Sequence, residues 1–75
     1  MSYGEFKFEI TQHIATLSTE RSGWTKELNL VSFNDQVPKY DLRTWDPEHE
    51  KMGKGITISK EEMAILKDAI EGLEL

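Results

Sequence analysis

The sequence predicts an α+β domain of four antiparallel strands followed by one C-terminal helix (β-β-β-β-α). Apolar and polar residues alternate in several short runs, which is typical of half-buried strands. Glycine, proline and asparagine separate these runs, as they do in turns. The last segment instead carries apolar residues at helical spacing behind a serine. The length of 75 residues fits a single domain.

The first two strands are predicted on either side of a polar turn at residues 18–23. In residues 5–10, aromatic and aliphatic side chains alternate with charged ones, which indicates a strand. Apolar character continues at Ile14 and Leu17 with a change of parity, so we expect a bulge or a break near residues 11–13. The second extended run is Trp24 to Phe33.

The third and fourth strands are predicted to form a hairpin. The loop at residues 34–38 precedes a strand from Lys39 to Trp45, and Asp46-Pro47 turns the chain. A fourth strand begins near Gly53 and has an alternating apolar side.

A helix is predicted from the capping box that Ser59 and Glu62 form, and it is expected to stop near Gly72. Its apolar stripe is predicted to pack as core, and its members are Met63, Leu66, Ala69, Ile70 and Leu73. Ile65 lies off this stripe and offers a seam for a partner helix.

The composition excludes several classes of protein. The chain has no cysteine, so it has neither a disulfide nor a thiolate metal site. No apolar run approaches the ~18 residues of a membrane span, and Met1 to Glu5 lack the pattern of an export signal, so we expect a cytoplasmic protein. A core this small favours an oligomer. The net charge of −5 opposes nucleic-acid binding, but the acids are densest near the C-terminus, and screening beyond ~8 Å leaves room for a local basic face.

One helix covers one face of a four-stranded sheet, and we expect the other face to stay accessible. By alternation that face carries Lys39, Arg43 and Trp45, with Val31 and Phe33 on the neighbouring strand. Cations beside aromatic rings suit unpaired nucleic acid, because the charges meet phosphates and the rings stack on bases. The alternative is an ion pair between Arg43 and a neighbouring acid, with Trp45 in the core.

Trp24 and Lys54 are further candidates for contact with a ligand. Trp24 starts the second strand just after Gly23, and Lys54 lies between Gly53 and Gly55, where glycine allows close approach of a backbone or a ligand. The segment lacks the long glycine-rich loop of a P-loop, so nucleoside triphosphate binding is not indicated.

The segment from Asp46 to Glu50, which includes His49, raises the question of a metal site or catalysis. No zinc spacing and no calcium-loop pattern is present, and no serine or cysteine lies in a recognisable nucleophile setting. His13 has no assigned role. We expect neither an enzyme nor a cofactor, and a metal site in this loop is the alternative.

The hairpin and the helix together resemble a known family. The run from Tyr40 to Glu48 (YDLRTWDPE), then Lys51 to Ile58 and the capped helix, is similar to the C-terminal domain of the transcriptional coactivator positive cofactor four. The similarity is closest to the small bacterial YdbC-type branch and covers nearly the whole chain.

This resemblance implies a homodimer whose subunits each have a curved four-stranded antiparallel sheet and a helix that contributes to the dimer interface. Paired ridges of the two sheets bind single-stranded DNA with little sequence preference. The residues that the resemblance and the strand pattern place in contact with DNA are Trp24, Lys26, Phe33, Lys39, Arg43, Trp45 and Lys54.

By position, Phe33 and Trp45 match the stacking aromatics of the family, Arg43 matches the arginine of the third strand, and Lys54 matches the lysine before Gly-Ile. The spacing from Arg43 to Trp45 is one residue shorter than in the eukaryotic coactivator, and the serine-rich regulatory arm has no counterpart. A general role in transcription, replication or repair is therefore expected.

The sequence thus predicts a non-enzymatic, homodimeric, single-stranded DNA-binding protein of low sequence specificity, associated with the nucleoid if the source is bacterial. RNA is accepted as well unless a residue reads the 2′-hydroxyl. The alternative is an acidic dimeric adaptor that docks a peptide or a polymerase subunit on the open sheet face.

Overall fold

The computed structural model describes residues 6–75 and has the expected order of elements. The strands are β1 (Phe8–Thr19), β2 (Thr25–Phe33), β3 (Lys39–Trp45) and β4 (Met52–Ile58), and the helix is α1 (Lys60–Glu71). Neighbouring strands are antiparallel in the order β1-β2-β3-β4. The predicted fold class is confirmed. Glu5, where the sequence begins the first strand, lies outside the described residues.

β1 is longer than its partner strand and is bent by three irregularities. Its 12 residues run beside the 9 of β2, and three register shifts leave Thr11, Ile14 and Leu17 without a partner on β2. Each extra residue is a bulge, which bends the strand and increases its twist. The bulge predicted near residues 11–13 is present, and the structure adds two more.

The turn between β2 and β3 holds the start of β1. Asn34 and Asp35 have φ angles of 52° and 62°, a left-handed conformation that these two residue types tolerate well. Asn34 accepts a hydrogen bond from the Lys7 N–H on its side-chain oxygen at 2.9 Å, and its own N–H donates to the Lys7 carbonyl oxygen at 2.8 Å. The turn therefore fixes the chain just before β1.

The sheet is strongly curved, and we call its concave side the inner face. Phe8 pairs with Phe33 at one end of β2, whereas Trp45 pairs with Thr25 at the other end, yet the Phe8 and Trp45 ring centroids are 5.2 Å apart. In a flat sheet these positions lie roughly 26 Å apart at ~3.3 Å per residue. Cross-strand partners that share the inner face are Thr25 with Trp45, Glu27 with Arg43, Asn29 with Asp41, and Val31 with Lys39.

The prediction that this face stays open is wrong. Val31 and Trp45 are fully buried on this face. Because the sheet curls, Phe8 covers Trp45 from β1, and His49 stacks on the same indole at 5.7 Å between centroids. Trp45 is therefore a core residue, as the alternative interpretation of the sequence proposed, and its ring is closed to bases.

The helix begins as predicted. The Ser59 hydroxyl accepts a hydrogen bond from the Glu62 N–H at 3.1 Å, and the Glu62 carboxylate accepts one from the Ser59 N–H at 2.9 Å. These two bonds complete the capping box. The helix ends at Gly72, whose N–H donates to the Ala69 carbonyl oxygen at 3.2 Å.

The prediction that the apolar stripe of α1 forms core is wrong for the single chain. No residue of α1 is buried, and Leu66 and Ile70 keep 40% and 50% of their surface exposed. The inner face is filled by its own side chains and by Phe8, so the helix, which contacts β3, does not cover it. Within residues 6–75, no helix has the length and apolar character needed to cross a lipid bilayer.

The convex side of the sheet, the outer face, is arranged in rows across the strands. Two rows are apolar, one formed by Leu30, Tyr40 and Ile58 and the next by Leu28, Leu42 and Ile56. The third row places Lys26 beside Thr44. Since α1 follows Ile58, this polar row lies at the end of the sheet away from the start of the helix.

Trp45→Ala is expected to lower the free energy of unfolding by about 3–5 kcal/mol, because it empties the largest buried position of a small core. Urea unfolding followed by circular dichroism measures this loss. Trp24→Ala, at a half-buried ring, is the matched control and should cost clearly less. Equal losses for the two tryptophans would contradict the assignment of Trp45 to the core.

Candidate nucleic-acid interface

An open groove crosses the outer face at its polar end. Lys26, Thr44 and Lys54 line it, and Leu42 and Ile56 belong to its apolar part. Its volume is about 540 Å³. Both lysines are exposed, and neither forms an ion pair within the part of the chain that the structure describes. We call this feature the Lys26–Lys54 groove.

A bulge in β4 places Lys54 at the groove. β3 and β4 are in register at Arg43 with Gly55, but the next pair is Trp45 with Met52, so β4 contains one extra residue here. A β-carbon at Gly55 would overlap the Arg43 side chain and the Leu42 carbonyl oxygen. The glycine therefore allows close approach, as predicted, and the approaching group is the protein's own β3.

Trp24 lies beside the groove. A β-carbon at Gly53 would meet the Thr44 side chain and come within 3.3 Å of a Trp24 ring carbon. The indole thus lies against the backbone next to Lys54, and it precedes Lys26 by two residues, which places both on the same side of the chain. Three of the predicted contact residues, Trp24, Lys26 and Lys54, are brought together in this way.

Arg43 is not a free cation, which corrects its predicted role as a phosphate ligand. Its guanidinium donates to both oxygens of Asp41 at 2.7 and 2.8 Å, and its side chain is 14% exposed while that of Asp41 is fully buried. A further N–H donates to the Gly53 carbonyl oxygen at 3.2 Å. The charge is paired inside the protein, and the side chain links β3 to the β4 bulge.

Phe33 and Lys39 lie at the other end of the sheet, by the turn between β2 and β3. The Phe33 ring is half-buried, lies 5.9 Å from the Phe6 ring, and has the Arg43 guanidinium 5.8 Å from its centroid. Lys39 is exposed. Phe6 is 55% exposed and was not singled out from the sequence, because the alternation in residues 5–10 places it on the apolar side of the predicted strand.

A buried polar cluster on the inner face was also missed from the sequence. Glu27 is 4% exposed, and one of its oxygens accepts hydrogen bonds from the Thr25 hydroxyl at 2.5 Å and from His49 Nε2 at 2.8 Å. The other accepts from the Asn29 side-chain N–H at 3.1 Å and lies 3.5 Å from His13 Nδ1. The cluster joins β1, β2 and the loop between β3 and β4.

These contacts keep Glu27 ionised. Burial is the largest single influence and raises the pKa of the Glu27 carboxyl. The hydrogen bonds from Thr25, Asn29 and His49, with the positive charge of protonated His49, together outweigh it, so the pKa lies below its ordinary value of 4.5. A buried acid at this position is therefore a charged partner for the histidines.

The loop from Asp46 to Glu50 is organised by its own backbone. One carboxylate oxygen of Asp46 accepts hydrogen bonds from the Glu50 and Lys51 N–H groups, each at 2.8 Å. The bond from Lys51 is the main reason that the pKa of Asp46 lies below its usual value. Among residues 6–75, no group of three or more histidine, aspartate or glutamate side chains is arranged to hold a metal ion.

Comparison with known proteins agrees with this architecture. A family model described as Transcriptional Coactivator p15 (PC4) matches residues 21–69, which contain β2, β3, β4 and most of α1. An uncharacterized protein of Treponema pallidum (strain Nichols) is 41% identical over 71 residues, which cover 95% of this chain and 84% of that protein. The Lys26–Lys54 groove lies within the matched range.

Glu27→Gln is expected to remove an acid-sensitive part of the stability. Because folding lowers the pKa of Glu27, its charge stabilises the fold above pH 4.5, and this contribution is lost as the pH falls through the folded pKa. Urea unfolding at steps from pH 7 to pH 3 should show the difference between wild type and Glu27→Gln shrinking below pH 4.5. Glu9→Gln, at an exposed carboxylate, is the control and should follow wild type. Parallel profiles for wild type and Glu27→Gln would exclude this role.

Proposed function

The chain belongs to the Transcriptional Coactivator p15 (PC4) family, and from this premise we propose that it binds single-stranded DNA with low sequence specificity. It acts as a homodimer and has no enzymatic activity of its own. The family resemblance drawn from the hairpin is confirmed by the match over residues 21–69.

The observation that carries this proposal is that Lys26 and Lys54 line one open groove, with the Trp24 ring against Gly53 beside it. An unpaired strand presents flat bases and a regular row of phosphates, and a half-exposed indole with two free ammonium groups meets both. Base stacking on an aromatic ring contributes roughly 1–3 kcal/mol, which offsets weak steering by a protein of net charge −5.

Single strands suit this groove better than duplexes. The Trp24 ring lies against the backbone at Gly53, next to Lys54, so its position beside the groove is fixed. A ring held in this way stacks on a base that is already unpaired, whereas the bases of a duplex stack on each other. Phe33 with exposed Phe6 and Lys39 forms a second stacking position at the other end of the sheet.

The homodimer is supported by the apolar surface that the single chain leaves uncovered. Beyond Leu66 and Ile70, Ile65 is 71% exposed and Leu73 is 58% exposed on the helical segment. Large apolar side chains exposed together on one helix mark an interaction surface, and a chain of this length buries only ~60% of its unfolded surface by itself. A two-fold dimer covers the patch and presents two grooves to one strand.

The biological role that fits is general handling of unpaired DNA in transcription, or in replication and repair. A ring stacks on any base and the two lysines meet phosphates that every nucleotide carries, so binding with little sequence preference follows. The same features serve at any site where a duplex is opened.

Lys26→Ala and Lys54→Ala are each expected to weaken binding to a fluorescein-labelled oligo-dT and to reduce its salt dependence. Because each lysine neutralises one phosphate, its removal should lower the slope of log K against log salt by about 0.7. Fluorescence anisotropy at several salt concentrations measures both effects, and Lys67→Ala on α1 is the control. Equal affinity for single and double strands would contradict the proposed single-strand preference, and no affinity for either would favour the acidic adaptor.

Ile70→Glu is expected to convert the dimer to a monomer, because it places a charge in the apolar stripe of α1. Sedimentation velocity reports the mass of each form in solution. Lys67→Glu introduces the same side chain on the same helix outside the stripe and should leave the dimer intact. A wild-type protein that sediments as a monomer would remove the assigned role of the exposed stripe.

A further inference from the structure

A side chain of the loop between β3 and β4 bonds directly to β2. His49 Nε2 lies 2.8 Å from Glu27 Oε2, and the carboxylate is 4% exposed. His49 also stacks on buried Trp45 with an angle of 24° between the rings. The residue has a φ of 59°, so the backbone adopts a left-handed conformation that directs this side chain inward.

The backbone ladder does not by itself fix the position of Lys54. The register between β3 and β4 is interrupted between Arg43 and Trp45, and Lys54 lies in the resulting bulge. Gly53 and Gly55 flank it and have no side chains with which to pack. The unshifted ladder between β2 and β3 holds β3 beside β2. The distance between Lys54 on β4 and Lys26 on β2 therefore depends on how the bulge and the loop before it are held against these two strands.

We propose that His49 is a positioning residue for nucleic-acid binding. Its bond to Glu27 holds the loop and the β4 bulge against β2 and so keeps the two sides of the Lys26–Lys54 groove at a fixed separation. This inference rests on the proposed function, which it deepens, because it assigns a role to a buried pair that touches no nucleic acid.

Glu27 is bonded to His49 of the β3–β4 loop, because its neighbour on β3 already has another partner. Arg43 is the cross-strand neighbour of Glu27 on β3, but its guanidinium is bonded to Asp41. β1 supplies His13, which bonds the Asn29 side-chain oxygen at 2.7 Å and reaches Glu27 at 3.5 Å. On β4, Gly55 stands opposite Arg43 and contributes no side chain.

The two histidines provide a matched experiment. Both contact Glu27, but His13 is on β1 and His49 is on the loop that leads into β4. Asparagine is the chosen substitution, because it tolerates positive φ and its side chain is shorter than that of histidine. Oligo-dT affinity should fall about tenfold in His49→Asn and stay within about twofold of wild type in His13→Asn. His49→Gln, whose longer amide still donates to Glu27, should recover most of the loss.

The pH profile separates positioning from general stability. Protonation of Glu27 in acid releases His49, so wild-type affinity for oligo-dT should fall as the pH drops below 4.5, while circular dichroism confirms that the protein stays folded. Thymine carries no group that titrates in this range. His49→Asn should have a lower affinity than wild type at neutral pH, and its affinity should change less as the pH falls below 4.5.

Amide hydrogen exchange gives a readout that does not depend on DNA. Exchange at residues 52–55 should accelerate in His49→Asn and remain at the wild-type rate in His13→Asn. Equal acceleration in both variants, or wild-type exchange and affinity in His49→Asn, would overturn the inference. If wild type fails to bind oligo-dT, the proposed function fails, and the exchange rates still decide whether His49 holds the bulge.

Discussion

The curl of the sheet is the constraint on which the other features depend. Three bulges bend β1 and allow Phe8 to reach Trp45, although their partners stand at opposite ends of β2. Once curled, the inner face is closed to solvent, so each polar group there needs an internal partner. The outer face, the stripe of α1 and the end of the sheet at Phe33 and Lys39 are then the surfaces left for other molecules.

This division explains how a protein of net charge −5 offers a basic groove. Asp41 is bonded to Arg43, and Glu27 to His49, on the inner face. Paired and buried charges project little field, whereas the exposed lysines of the outer face act directly on what approaches. The net charge is therefore a weaker guide to the binding partner than the position of each charge on the inner or the outer face.

The limits of β2 and β3, the hairpin and the capping box were predictable because each depends on local sequence. Which face of the sheet becomes buried was not predictable. Alternation assigns Arg43 and Trp45 to one side of β3 without saying which side is concave. Curvature comes from the bulges of β1, and the parity change at Ile14 and Leu17 reveals one irregularity but does not count three. The amphipathic stripe likewise shows that α1 has an apolar side. The sequence does not show whether Leu66 on that side packs against the same chain or against a second chain.

The β3–β4 hairpin is held by directional contacts rather than by packing. Glycine at positions 53 and 55 lets the strands approach closely, but it removes the side chains that would interlock there. Arg43 compensates by bonding the Gly53 carbonyl oxygen, and His49 by bonding Glu27. Apolar contacts are non-directional and tolerate small shifts, whereas a bond to a buried carboxylate has a narrow range of distance and angle. The bonds of Arg43 and His49 therefore do more than stabilise the fold, because they also restrict the positions that the β4 bulge and Lys54 can take.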